Sequence, residues 1–150
     1  MAATPGSKIC LATLAEIIDT TQLAFTPLGP DVIKAGCFTG TVTDDAETFT
    51  AYGVAPFNAN EISGGGYTAG GATLGSKSWA IQSGTGKIRW NTGPISIANV
   101  SGLVRWMLHY DDTLAGNNAW YAGDFGSEYT LTAETLNVTP DTNGWFRIPA

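Results

Sequence analysis

A chain of 150 residues that is 43% hydrophobic and only 13% charged has enough apolar material for one packed core, which excludes wholesale disorder. Thirteen carboxylates against seven Lys and Arg leave a formal charge of −6, which excludes the clustered positive potential that nucleic acid or an anionic membrane surface demands. No apolar run approaches the roughly twenty residues of a membrane-spanning helix, and the short stretch 9–14 behind one lysine makes a poor secretory leader, so the expectation is a soluble protein made in a cytoplasm.

Residues 1–30 read as an N-terminal arm or helix. Over residues 7–19, Leu11, Leu14 and Ile18 follow helical spacing and Ser7 can cap the start, whereas Thr13 and the β-branched isoleucines leave an extended arm as the alternative. Pro27 and Pro30 in TPLGPD then remove backbone donors and end any regular element. Cys10 and Cys37 sit in apolar contexts and read as buried thiols.

Residues 31–150 are punctuated as an all-β domain. Short strand candidates at 32–43, 79–82, 87–91, 103–110, 119–125, 129–131 and 145–148 are separated by DDAE, GTG, NTGP, DDTLAGNN, GSE and PDTNG, all of which are turn chemistry. This pattern predicts a single β-sandwich or jelly-roll-like domain with DDTLAGNN as a hairpin turn. In the strand 103–110, alternation places Val104, Trp106, Leu108 and Tyr110 toward the core, and Leu103, Arg105, Met107 and His109 on the other face.

The stretch 62–75, ISGGGYTAGGATLG, holds six of the 19 glycines. A phosphate-binding P-loop needs a Lys followed by Ser or Thr after the last glycine, and a dinucleotide fingerprint needs a helix behind it; neither is present. The remaining reading is structural. Gly64, Gly65, Gly66, Gly70 and Gly71 let a bulged backbone approach a neighbouring strand, and Tyr67 anchors it.

Other chemistry is sparse. His109, the single histidine, precedes Asp111 and Asp112 but has no nucleophile elbow to serve, and reads as a strand-end residue beside a polar turn. Asp44, Asp45 and Glu47 lack the alternating spacing of a calcium loop, and one His with two separated Cys does not make a structural zinc site. The expectation is no catalytic residue, no metal and no cofactor. Five tryptophans could build a carbohydrate-binding face, but their strand positions favour core packing.

The blocks VIKAGCFTG (32–40), NEISGGGYTAGGATL (60–74), VRWMLHYDDT (104–113), AWYAGDFGS (119–127) and ETLNVTPDTNGWFRI (134–148), in this order, resemble a widespread family of small virion structural proteins of tailed bacteriophages. GYTAGG is the most specific of them. The resemblance implies a noncatalytic component of the virion, assembled in the host cytoplasm. The expectation built on it is a capsid decoration (cement) protein, trimeric and bound to the major capsid protein or other virion proteins, with no nucleic acid or membrane as partner. The alternatives are a tail, neck or fibre-base component and a carbohydrate-binding host-adhesion domain. Trp106 and His109 depart from the family pattern, and residues 1–30 have no counterpart in it. The apolar positions Ile9, Leu11, Leu14 and Ile18 of that segment are therefore candidates for a docking arm, the rival being a helix that covers one face of its own sandwich.

Overall fold

The computed structural model describes residues 8–18, 29–40, 42 and 47–149. They form an all-β domain of two antiparallel sheets with one short helix. The elements are β1 (Lys8–Ile9), α1 (Leu11–Ile18), β2 (Ile33–Phe38), β3 (Ala72–Thr73), β4 (Ser78–Gln82), β5 (Lys87–Asn91), β6 (Ile95–Asp111), β7 (Ala119–Val138) and β8 (Phe146–Pro149). The larger sheet runs β1-β7-β6-β2-β3 and the smaller β4-β5-β8.

A long β6–β7 hairpin is the spine. DDTLAGNN turns the chain as the sequence predicts: Asp111 Oδ1 accepts from the backbone N–H groups of Thr113 (2.8 Å) and Leu114 (3.2 Å), and Asn117 takes the left-handed φ of 48°. The strands on either side are longer than the sequence suggests. GSE, expected to be a turn, lies inside β7 as a bulge: Gly126 has φ 81° and its N–H is held by Asp124 Oδ1 at 2.8 Å, while Arg105 grips the same carboxylate at 3.1 and 3.3 Å. Residues 95–102, expected as connection, extend β6 through irregular registers around Asn99 (φ 57°) and Gly102 (φ 135°).

The sheet is buried on both faces over Trp106–Asp111 and Ala119–Phe125. One face packs on the smaller sheet through aromatic rings: Trp90 lies 4.2 Å from Trp120, Trp79 5.5 Å from Trp120, and Tyr121 stacks on Phe146 at 5.4 Å. Phe38, Phe49, Phe57, Trp106, Leu108 and Tyr110 make the second core on the opposite face, roofed by the connection that follows β2. Met107 and His109, expected outside the core, alternate with Trp106, Leu108 and Tyr110 but face the first core, because the second sheet covers their side; the register shift between Val104 and Trp106 moves Val104 into that same core. His109 is accordingly fully buried, not a strand-end residue at a wet turn.

The described part of the N-terminal segment lies on its own domain. Ile9 pairs with Tyr121 of β7, the Cys10 N–H bonds the Trp120 carbonyl at 2.9 Å, and the Thr13 hydroxyl donates to the Ala119 carbonyl. The helix is shorter than 7–19 and starts only after this strand pairing. Leu11 is 47% exposed and Leu14 half-buried, whereas the Ile18 side chain lies outside the described residues.

Candidate functional site: the glycine loop and its anchors

Residues 60–74 cross the end of β2 and reach the open side of β6. The crossing is tied at one carboxylate. Glu61 is placed by its bridge to Phe38, and its Oε2 accepts from the Tyr52 hydroxyl at 2.7 Å. Its Oε1 accepts from the Tyr67 hydroxyl at 2.7 Å and the Gly70 N–H at 2.8 Å. Tyr67 is buried, and its hydroxyl also accepts from the Cys37 N–H of β2 at 2.8 Å, so one side chain joins loop, carboxylate and central strand. Tyr110 closes the ring of contacts by donating to the Gly70 carbonyl at 2.8 Å while Tyr52 stacks on it at 4.5 Å. Bonds to an ionised acceptor are the strong kind, and here both carboxylate oxygens are occupied.

Between these anchors the backbone comes within atomic contact of two strands. Gly65, at φ +61°, bridges Val100, and a Cβ there would lie 1.8 Å from the Asn99 carbonyl oxygen. Gly71, at φ +77°, would place a Cβ 1.8 Å from the Ala35 carbonyl oxygen. No side chain fits at either position. Gly66 lies against the same β6 bulge, with its N–H on the Asn99 carbonyl; Gly64 closes a tight bridge to Tyr67, and Gly70 sits under Tyr110. All six residues singled out in the sequence therefore meet in one clamp. Glu61 and Tyr52, which complete it, were missed, because a lone Glu before a glycine run looks like a solvated surface acid. Its place six residues before Tyr67 is the signal that could have drawn attention.

A recess of about 260 Å³ opens beside the loop, between Tyr67–Thr68, Gly71–Ala72 and Ser96–Ala98. It offers methyl groups, hydroxyls and backbone, with no charged side chain at its wall. Nearby groups are chemically quiet. Burial, reinforced by Glu61, pushes the Cys37 thiol up to about 12, and burial raises the Tyr67 phenol further still. Cys10 is likewise a buried free thiol raised by desolvation.

The acidic turn after β6 is a second place where ionisable groups meet. Asp111 is fully buried, and burial with the neighbouring Asp31 charge raises its carboxyl above the usual range against the lowering pull of its two backbone donors. Asp112 pairs with Lys34 at 2.7 Å. Among the described residues no three His, Cys, Asp or Glu side chains gather as a metal site. Asp44 and Asp45 lie outside the described residues. Trp90, Trp106, Trp120 and Trp145 are at most 4% exposed, so these rings build the cores and present no platform to a glycan. No described helix is long and apolar enough to cross a membrane.

No protein-family model, curated protein or solved structure matches the chain.

Replacing Tyr67 by Phe removes the bond to Glu61 and leaves the buried Cys37 N–H without its acceptor. The expected loss is about 1–3 kcal/mol of unfolding free energy, against about 1 kcal/mol or less for Tyr52→Phe, whose ring is only half-buried. Chemical denaturation of the two variants checks the ranking; equal losses would mean that Tyr67 is not the principal anchor.

Proposed function

We propose that the chain is a noncatalytic structural protein of a bacteriophage virion, a capsid decoration protein that binds the assembled head from outside and assembles with copies of itself. The observation that carries this reading is the use made of the GYTAGG block. The residues through which the chain resembles phage virion proteins are engaged in holding a loop against two strands, and the polar groups of that clamp bond one another. A motif used in this way supports architecture over turnover.

Two further features fit. A surface poor in charge and rich in Thr, Ser and Asn suits broad protein contacts, and symmetric repetition turns weak contacts into firm attachment. A net charge of −6 suits the exterior of a head better than the DNA-lined interior. The burial of four of the five tryptophans weighs against the carbohydrate-binding alternative.

Adding the purified protein to particles that lack it tests the reading. Co-sedimentation with heads, saturating at a fixed ratio to the capsid protein and raising the temperature at which heads release DNA, is the expected result. Binding confined to isolated tails would move the protein to the tail or neck, and no binding to either would overturn the proposal.

A further inference from the structure

The smaller sheet carries apolar groups past the end of the core. Trp79, Trp90 and Phe146 are cross-strand neighbours, and their rings pack among themselves and on Trp120. Two residues further along, Ile81, Ile88 and Ile148 form the next row on the same face. Among the described residues nothing comparable covers them: Ile81 is 81% exposed and Ile88 41%. β4, the sequence SWAIQ, is an edge strand with no charge and no proline, lacking the usual devices that stop an edge from pairing.

The charge of this sheet is opposite to that of the chain. β4, β5 and β8 contain Lys87, Arg89 and Arg147 and no carboxylate, leaving four cations and all 13 carboxylates for the rest. Arg89 and Arg147 stand directly opposite each other across the β5–β8 ladder, an unfavourable like-charge pair. Among the described residues no carboxylate lies within ion-pair distance of any of these three cations, and the Arg89 and Arg147 groups reach only carbonyl and amide oxygens.

A complementary edge exists on the same chain. β1 covers β7 only at Tyr121 and Ala122, and from there to Val138 no described strand pairs with that side of β7. This stretch carries Glu134 and Glu128, the latter accepting from the Gly40 N–H at 2.8 Å, with no Lys or Arg, and its Tyr129 is 39% exposed. We propose that the β4 edge of one copy, with the Ile81–Ile88–Ile148 row and its flanking cations, pairs with the acidic β7 edge of the next copy. The contact is head-to-tail, because joining two small sheets at their uncharged β4 edges would bring the cations of β5 and β8 in both copies together, Arg147 reaching as far as Gln82 of β4, whereas β4 against β7 sets that cationic sheet beside carboxylates. A head-to-tail contact uses both edges of every copy, and it closes into a ring where the rotation allows. The inference rests on the proposed assembly role only for its premise that copies meet.

Sedimentation velocity of the full chain up to about 100 μM tests it. The expected result is concentration-dependent assembly that weakens as salt rises to about 1 M. Ile81→Glu, which breaks one edge, and Thr132→Lys/Glu134→Lys, which breaks the other, each weaken association by at least about tenfold, with circular dichroism spectra and melting temperatures unchanged. Mixed in equal amounts, the two variants form a dimer and nothing larger, since one intact edge of each kind remains. A wild-type chain that stays monomeric, an Ile81→Glu chain that still assembles, or a mixture that stays monomeric overturns the inference, the last even if an unrelated acidic protein is found on the β4 edge. Coating of particles by a monomeric chain would leave the decoration reading standing. Head-to-tail assembly without particle binding would do the reverse.

Discussion

Gly71→Ala is expected to lower the unfolding free energy by more than about 3 kcal/mol, a large fraction of the roughly 5–15 kcal/mol that holds a domain folded. The new methyl would meet three atoms of the central strand β2: the Ala35 carbonyl oxygen at 1.8 Å, its carbon at 2.5 Å and the Gly36 Cα at 2.8 Å. These are backbone atoms of a strand paired on both sides, so no rotamer change relieves the overlap. The φ of +77° adds the ordinary penalty of a left-handed alanine. Gly75→Ala, where a Cβ meets nothing within 4 Å, is the matched control and should change stability by no more than about 0.5 kcal/mol. Urea denaturation of the pair decides the matter: two similar midpoints would mean that the glycine run is not held against β2 in this way.

The second large effect is on acid stability. His109 is fully buried between Tyr121 at 4.9 Å and Trp145 at 4.8 Å, with no hydrogen-bond partner at either ring nitrogen among the described residues. Burial lowers its pKa from 6.5 to about 3. Between these values the unfolded chain takes up a proton that the folded chain refuses. Stability from this group is therefore fully present above about pH 6.5 and falls as the pH drops toward about 3, by at most about 5 kcal/mol. The Asp111 carboxyl acts in the opposite sense: a raised folded value favours its protonated form, so its contribution is greatest in acid and declines as the pH rises through that value. The difference between wild type and His109→Phe isolates the histidine. The variant, having no orphaned nitrogens, should gain on the wild type steadily as the pH falls from about 7 to about 3. Parallel profiles would show that His109 is solvated or bonded in the folded protein.

The sequence made the all-β class readable because clusters such as GTG, NTGP and DDTLAGNN interrupt apolar runs too short for helices. The β4–β5 ladder and the β6–β7 turn fell close to their expected places for the same reason. The lengths of β6 and β7 did not, and the cause is chemical: Gly126, Asn99 and Gly102 serve bulges inside continuous strands, and a bulge uses the same residues as a turn. His109 was misplaced because alternation along one strand cannot reveal that the sheet is covered on both sides. Tyr67 and the glycines pointed to their own packing role, but the acceptor that holds them, Glu61, carries no local signature, since its two tyrosine partners are only brought together by the fold.

Counting the copies of the chain in purified particles by quantitative mass spectrometry, relative to the major capsid protein, tests the proposed role most directly. A decoration protein attached at repeated positions on the head is present on the order of hundreds of copies, in a fixed ratio to the capsid subunit. A few to some dozens of copies would place it in the neck, tail or fibre base, and its absence from particles would contradict a virion role altogether.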